Sequence, residues 1–378
     1  MINMASPGVQ ANEVDLSYQV RAEGGVSGAF VGAFQWGPVE EIVPVSGGTE
    51  GLLQKFFRPN DDTAIYWLSV RDYLLYNDSA LVVRLVGDAA VNAVPATKVP
   101  VLIKNEDHFE TVTTTDVSFY ARFPGALGNA IDIEAADSEG FATWDYANEF
   151  TYAPGANEFN VVVVDRTGAF SGTAGTVLER YELMTKTVGA KKTDGTSAYV
   201  KDVINRSSRY VWMGDLAAFT FTEGVFATSL QGGVDDNVLT THVTGWNKFS
   251  NPATSDIWEM VAVNQADTDI DTLLTIAEGR GDCVGFFSPP LAAVVNNIGN
   301  ESTDVIEYRA VTTNKNSSYL MMDDNWKMVY DEFNDVYRWI PLAPTNAGLH
   351  AQVVKSPQPW QSHGGYTRGR VKNIVKLA

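Results

Sequence analysis

Three stretches of this chain are apolar almost from end to end: SALVVRLVG (79 to 87), IWEMVAV (257 to 263) and CVGFF (283 to 287). A strand with no polar side has nothing to offer water, so it must lie inside a sheet covered on both faces. Helix-like segments adjoin them. TAIYWLSVRDYLLYN (63 to 77) precedes the first run, capped by Asp62 or Thr63, and DTDIDTLLTIAEG (267 to 279) joins the second to the third. Strand, helix and strand in that order imply parallel strands with a right-handed crossover. The helix before SALVVRLVG is apolar nearly all round, with Ser69, Arg71 and Asp72 as its polar strip, and is expected to be deeply packed.

From about Asp88 the texture changes. HFETVTTTDVSFYARF, NAIDIEA, NEFNVVVVD and SRYVWMG alternate in polarity and are rich in threonine and aromatics, which reads as strands. The one clear helical signal there is SAYVKDVIN (197 to 205), and glycine-rich GAFSGTAG (168 to 175) reads as a hairpin connection. After Gln231-Gly232-Gly233 the α/β pattern resumes with a helix at THVTGWNKFS. Near the end, SYLMMDDNWKMVYDEFNDVYRWIPL reads as a three-run β-meander, and the last residues, NIVKLA, as an apolar helix.

The expected fold class is therefore α+β and multidomain, with an α/β core built from both ends of the chain. Boundaries are placed at 1–20 for an extended N-terminal arm, 21–88 for the first part of the core, 89–235 for a β-rich insertion and 236–378 for the second part of the core.

Composition narrows the function. A formal net charge of -19 disfavours nucleic acid and anionic membranes, which would repel it. Cys283 is the only cysteine, so no internal disulfide forms, and its apolar setting reads as buried and inert. No apolar run reaches membrane-spanning length, and the N-terminus lacks a signal-peptide pattern.

Chemistry is hard to find. Asp267, Asp269 and Asp271 superficially match a calcium loop with Glu278 at its twelfth position, but the sixth holds Thr272 where the sharp turn needs glycine. The better reading is an amphipathic helix with acids in its first turn and Gly279 at its end. The loops after the buried strands lack the glycines and lysine of a phosphate site. His108, His242, His350 and His363 show no ligand spacing and are expected to be exposed. Arg338 is placed to pair with Asp331 or Asp335, which keeps those carboxylates ionised instead of poised as general acids. No catalytic residue, cofactor or metal is expected.

A set of motifs in fixed order carries a family resemblance. SPGVQANEVDLS opens the chain, with Pro7, Gly8, Val9, Val14 and Leu16; AFVGAFQWGPVEEIVPVSG follows, with Trp36 and Gly37. DYLLYNDSALVVRLVG comes next, then FYARFPGALGNAIDIEA with Gly128 and Asn129, VVVVDRTGAFSGTAGTVLERY with Asp165, and SAYVKDVINRSSRYVW. FNDVYRWIPLAPTNAGLHA contributes Arg338, Trp339, Pro341, Ala347 and Gly348, and PWQSHGGYTRGRVKNIVKLA contributes Trp360, Arg368 and Gly369. Together these resemble the tail sheath proteins of contractile-tailed bacteriophages, especially large myoviruses.

The resemblance implies a structural subunit in a six-fold helical sleeve that contracts around a tail tube, without hydrolysing nucleotide. It implies other sheath subunits, the tail tube protein, and baseplate and tail terminator proteins as partners, with no nucleic acid and no membrane insertion. It places the chain in the virion, and in the host cytoplasm during assembly. Pro7 to Leu16 would form part of an arm adding a strand to a neighbour's sheet, and the remaining motif residues would be framework. Two departures stand out. Gln352, Val353 and Val354 replace an arginine and an acid, and family members usually continue beyond NIVKLA, so a shortened chain that folds but assembles poorly is expected. Other readings are a sheath of a bacterial contractile injection system or phage-tail-like bacteriocin and, more distantly, an α/β enzyme with a substrate-binding insertion.

Overall fold

The computed structural model describes residues 27–112, 115–356 and 359–378. The chain opens with β1 (Gly28–Gly32), β2 (Ile42–Ser46), α1 (Gly48–Phe56), α2 (Ala64–Leu74) and β3 (Ser79–Arg84). It then makes β4 (Val94–Pro95), α3 (Glu106–Thr111), β5 (Phe119–Ala121), β6 (Ile131–Asp137), β7 (Phe159–Asp165), β8 (Thr176–Met184), α4 (Val200–Ser207), β9 (Val211–Met213) and β10 (Val225–Gln231). The remainder supplies α5 (Val243–Asn247), β11 (Glu259–Val261), α6 (Asp267–Arg280), β12 (Val284–Phe287), α7 (Leu291–Val294), α8 (Glu301–Glu307), β13 (Leu320–Met322), β14 (Trp326–Asp331), β15 (Val336–Pro341), α9 (Ala343–Val354) and β16 (Lys376–Leu377).

The continuously apolar runs meet in one six-stranded sheet of order β13-β12-β11-β1-β3-β2, drawn from the two ends of the described chain. Its neighbours are parallel except for β2, which pairs antiparallel with β3 at the edge. Alternate residues feed opposite layers. Phe30 and Val82 pack with α1, α2 and α9, while Ala29, Val31 and Val83 pack with Trp246 of α5 and Ile270 and Leu273 of α6. Cover on both faces is what unbroken apolar strands require.

A five-stranded sheet, β4-β10-β6-β7-β8, comes entirely from between those two stretches and is antiparallel throughout. One face packs against α4 and the β5–β9 pair through Val200, Ile204, Phe119 and Met213. Trp144, stacked on Phe150 at 5.6 Å, covers Ala136, Val162 and Val164 on the other. The fold is α+β, as expected.

Several local readings are corrected. HFETV does not begin a strand: Asn105 accepts the His108 amide at 3.0 Å and caps α3, an N-cap strong enough to start a short helix. The meander is only two-thirds right. β14 and β15 form the hairpin, but β13 pairs with β12 in the large sheet, because alternation fixes a face and not a partner. The helix expected at NIVKLA is instead β16, paired with β14, whose free edge binds the Val375 amide through the Met328 carbonyl at 2.9 Å. So short a segment nucleates no helix of its own. Finally, α6 runs past Gly279 to Arg280 and is closed by left-handed Gly281 (φ 71°).

Candidate functional site

The motif residues gather in two places. The first is the seam between the two large sheets. Arg84 ends β3 fully buried, with Nη1 donating to the Gly37 carbonyl at 2.8 Å and Nη2 to the Gln35 and Pro124 carbonyls at 3.2 and 2.8 Å. Burial lowers its pKa to about 9, opposed by the Asp235 charge. Gly37 needs its backbone (φ 106°), and a Cβ there would sit 2.8 Å from the Lys55 carbonyl. Trp36 projects from the same turn into the core beside the five-stranded sheet, edge-on to Phe123 and Phe170, both at 5.3 Å.

Asp165 delivers Phe170. Its buried carboxylate accepts the amides of Gly168 and Phe170 at 2.9 Å and of Ser171 at 2.8 Å, curling the β7–β8 loop around itself. Asn129 locks the far side, donating to the Gly233 carbonyl at 2.9 Å and accepting the Gly233 amide at 2.7 Å. Gly128 admits close packing, since a Cβ would lie 2.6 Å from that of Ala121. A cleft of about 470 Å³ opens here beside Asn129, Arg166 and Asp235. Its charges are engaged: Arg166 with Asp132 at 3.4 Å, and Asp235 with the Ala126 amide at 3.0 Å.

The second place is where α2, α9 and the β14–β15 hairpin meet. Arg338 donates to Asp331 at 2.7 Å and also reaches Asp61. Burial pushes the Asp331 carboxyl up, but bonds from Asn334, Arg338 and the Phe333 amide outweigh it and hold it below the usual range. Asp335 instead accepts the Tyr330 hydroxyl at 2.7 Å. Pro341 and Ala347 are buried, and Gly348 lets α9 approach α2, as its Cβ would meet the Tyr76 ring at 2.8 Å. Lys376 lies over the Trp339 ring at 5.2 Å. Val353 and Val354 turn their apolar side chains inward. Trp360 and Arg368 are exposed, and the Gly369 amide donates to the Gly365 carbonyl at 2.8 Å. Pro7, Gly8, Val9, Val14 and Leu16 lie outside the described residues.

Buried polar groups that sequence reasoning missed fill the interior. Lys327 donates to Asp72 Oδ1 at 2.5 Å and to the Lys372 carbonyl at 3.0 Å; Thr345 donates to Asp72 Oδ2 at 2.5 Å. Burial pushes the Asp72 carboxyl up and the Lys327 ammonium down. None of the four histidines is exposed as expected: His108 and His363 are half-buried, and the other two are engaged by carboxylates. His242 is buried between Asp269 (2.9 Å) and the Tyr66 hydroxyl (3.1 Å), and His350 contacts buried Glu259 at 2.8 Å, which also accepts from Tyr73 at 3.0 Å.

The Tyr66–His242–Asp269 chain has a catalytic outline but the wrong electrostatics. Burial, then the Asp269 charge, push the Tyr66 hydroxyl up to about 12, so it is a poor nucleophile. At the carboxyl ends of β1 and β11, where α/β enzymes hold ligands, Gln265 donates to the Val31 carbonyl at 3.0 Å and accepts from Trp246 at 2.7 Å. Among the described residues, no group of three or more His, Cys, Asp or Glu is placed to hold a metal, and no helix is long and apolar enough to cross a membrane.

Buried tyrosines set an alkaline limit. Burial raises Tyr66 and Tyr76 to about 12 and Tyr73 well above the ordinary value. A raised folded pKa contributes stability fully present below the unfolded value, about 10, and lost as pH rises through the folded one. Stability is therefore expected to fall between about pH 10 and 12. Absorbance at alkaline pH should show exposed tyrosines ionising first and a later cooperative step coinciding with loss of circular dichroism. A single step near the ordinary value with structure retained contradicts this.

Trp36, Gly37, Asn129 and Asp165 thus tie the two large sheets together at one seam. Comparison with known proteins narrows the class. The chain is 32% identical to the tail sheath protein of Salmonella phage ViI over a 474-residue alignment covering 99% of this chain and 74% of that protein. It is 24% identical to the tail sheath protein of Enterobacteria phage T4, covering 100% of this chain and 77% of that one. Its fold matches the sheath tail protein of Listeria innocua with a TM-score of 0.50 at 13% identity, covering 89% of this chain and 58% of that chain. A Desulfitobacterium hafniense sheath tail protein matches with a TM-score of 0.50 at 12% identity, covering 98% and 67%. No family model matches the chain. The chain belongs to the phage tail sheath proteins, a structural and not an enzymatic family.

Proposed function

We propose that this chain polymerises as a helical six-fold sleeve around a tail tube and contracts to drive the tube through the host envelope. The observation that carries the reading is the near-complete span of this chain by its match to the Salmonella phage ViI tail sheath protein. Neighbouring sheath subunits, the tube protein, and baseplate and terminator proteins are its partners, met in the host cytoplasm and retained in the virion. Residues 1–20 form an arm that adds a strand to a neighbour. Residues 21–88 and 236–378 face the tube, and residues 89–235 form the outer module.

Energy is released as folded subunits reorient and bury more surface against each other. A few hundred extra Å² of apolar area per subunit supplies several kcal/mol at about 25 cal/mol per Å². The tied seam supports this reading, because a subunit that moves as a rigid body transmits force where a loosely hinged one absorbs it.

Antibodies raised against the purified chain test the proposal on intact virions by electron microscopy. Label is expected along the whole tail shaft, extended and contracted. Label confined to one end, or absent from the tail, overturns it.

A further inference from the structure

We propose that Lys327 and Asp72 join through an isopeptide bond formed by the folded chain itself, stapling β14 to α2. Geometry carries the argument. Nζ and Oδ1 lie 2.5 Å apart, in direct contact, and what sets the pair apart is enclosure, the two side chains being 0% and 1% exposed. They sit at the edge of the apolar cluster built from α2, α9 and the hairpin. Thr345 holds the other carboxyl oxygen at 2.5 Å, and the Lys372 carbonyl holds a second Nζ hydrogen at 3.0 Å. Arg71, next in sequence, turns away to Glu332 and the Tyr330 carbonyl.

The chemistry balances without a co-reactant. Moving one proton along the short contact turns ammonium and carboxylate into amine and carboxylic acid, the neutral forms that a site closed to water favours. Burial acts on both groups in that direction. The Nζ lone pair attacks Cγ while Thr345 donates to Oδ2, where negative charge develops. An Nζ proton passes to the Oδ1 hydroxyl, the Cγ–Oδ1 bond breaks, and water leaves. One C–N bond replaces one C–O bond, with no oxidation.

Other lysine contacts lack these conditions. The acid facing Lys98 is 81% exposed, and Lys355 beside Asn77 is itself a third exposed, so water reaches both contacts. The staple would close a span of 255 residues in a chain whose single cysteine permits no internal disulfide. Cross-links over long spans constrain the unfolded state most.

Mass spectrometry decides the matter. The purified chain, weighed intact after denaturation, is expected to be lighter by one water than its sequence. A protease digest should contain a branched peptide joining the segments that carry Asp72 and Lys327. Lys327→Arg keeps a positive charge but cannot acylate, and should show the full mass and linear peptides only. Thr345→Val should slow water loss roughly 100-fold, followed by mass over time after refolding. Folded wild-type chain at full mass, with no branched peptide after prolonged incubation at neutral pH, overturns the proposal however the variants behave.

Discussion

Arg84→Met is expected to lower the free energy of unfolding by about 3–5 kcal/mol, read from urea denaturation. The size follows from what is left behind. The carbonyls of Gly37, Gln35 and Pro124 all accept from the guanidinium. Methionine fills the volume and donates nothing, so acceptors buried with the arginine lose their partners, at about 1–3 kcal/mol each before relaxation. Removing a costly buried charge works the other way, which is why the net stays below the sum. Arg84→Lys tests geometry separately: one ammonium cannot reproduce a planar fork spread over three carbonyls, and it should recover only part of the loss. Because Pro124 belongs to the stretch leading into the five-stranded sheet, the Met variant should also be cut faster by protease near Gly125 and Asp235. A loss under about 1 kcal/mol with unchanged proteolysis would show that the seam does not depend on this side chain.

Much of the architecture was legible because burial writes itself into short windows. Val82 to Arg84, Met260 to Val263 and Gly285 to Phe287 are buried on both sides, and their composition announced it. The alternating runs between them likewise announced a separate antiparallel sheet. What stayed hidden was pairing. Leu320–Met322 alternates like a hairpin strand, and only the free edge of β12 explains where it went. Charges inside apolar runs were the underused signal. Arg84 within LVVRLVG, Glu259 within IWEMVAV and Asp72 within the apolar helix all proved buried and bonded. A charge among residues with no polar side must carry its partner inward with it. The partners lie far away in sequence, so the sites were detectable as burials but not as networks. The same holds for His242, whose link to Asp269 exists only because α5 packs on α6.

Trp36→Ala should lower stability by about 3–5 kcal/mol, the range for emptying an aromatic site in a core. The more telling experiment pairs it with Asp165→Ala. What connects the two residues is Phe170, which Asp165 holds by its amide and which meets Trp36 edge-on at 5.3 Å. Asp165→Ala orphans the amides of Gly168, Phe170 and Ser171 and lets the loop unwind, withdrawing Phe170 from Trp36 and also from Phe57 and Tyr210. Once that ring has left, truncating Trp36 removes fewer contacts. The double variant is therefore expected to be less destabilised than the sum of the singles, by about 1–2 kcal/mol in a double-mutant cycle. Additivity within about 0.5 kcal/mol would mean the carboxylate stabilises its own loop without positioning the ring. Less-than-additive loss would identify the β7–β8 loop as a latch: a polar knot that folds locally, then presses one phenyl ring across the seam onto the turn that Arg84 holds from the other side.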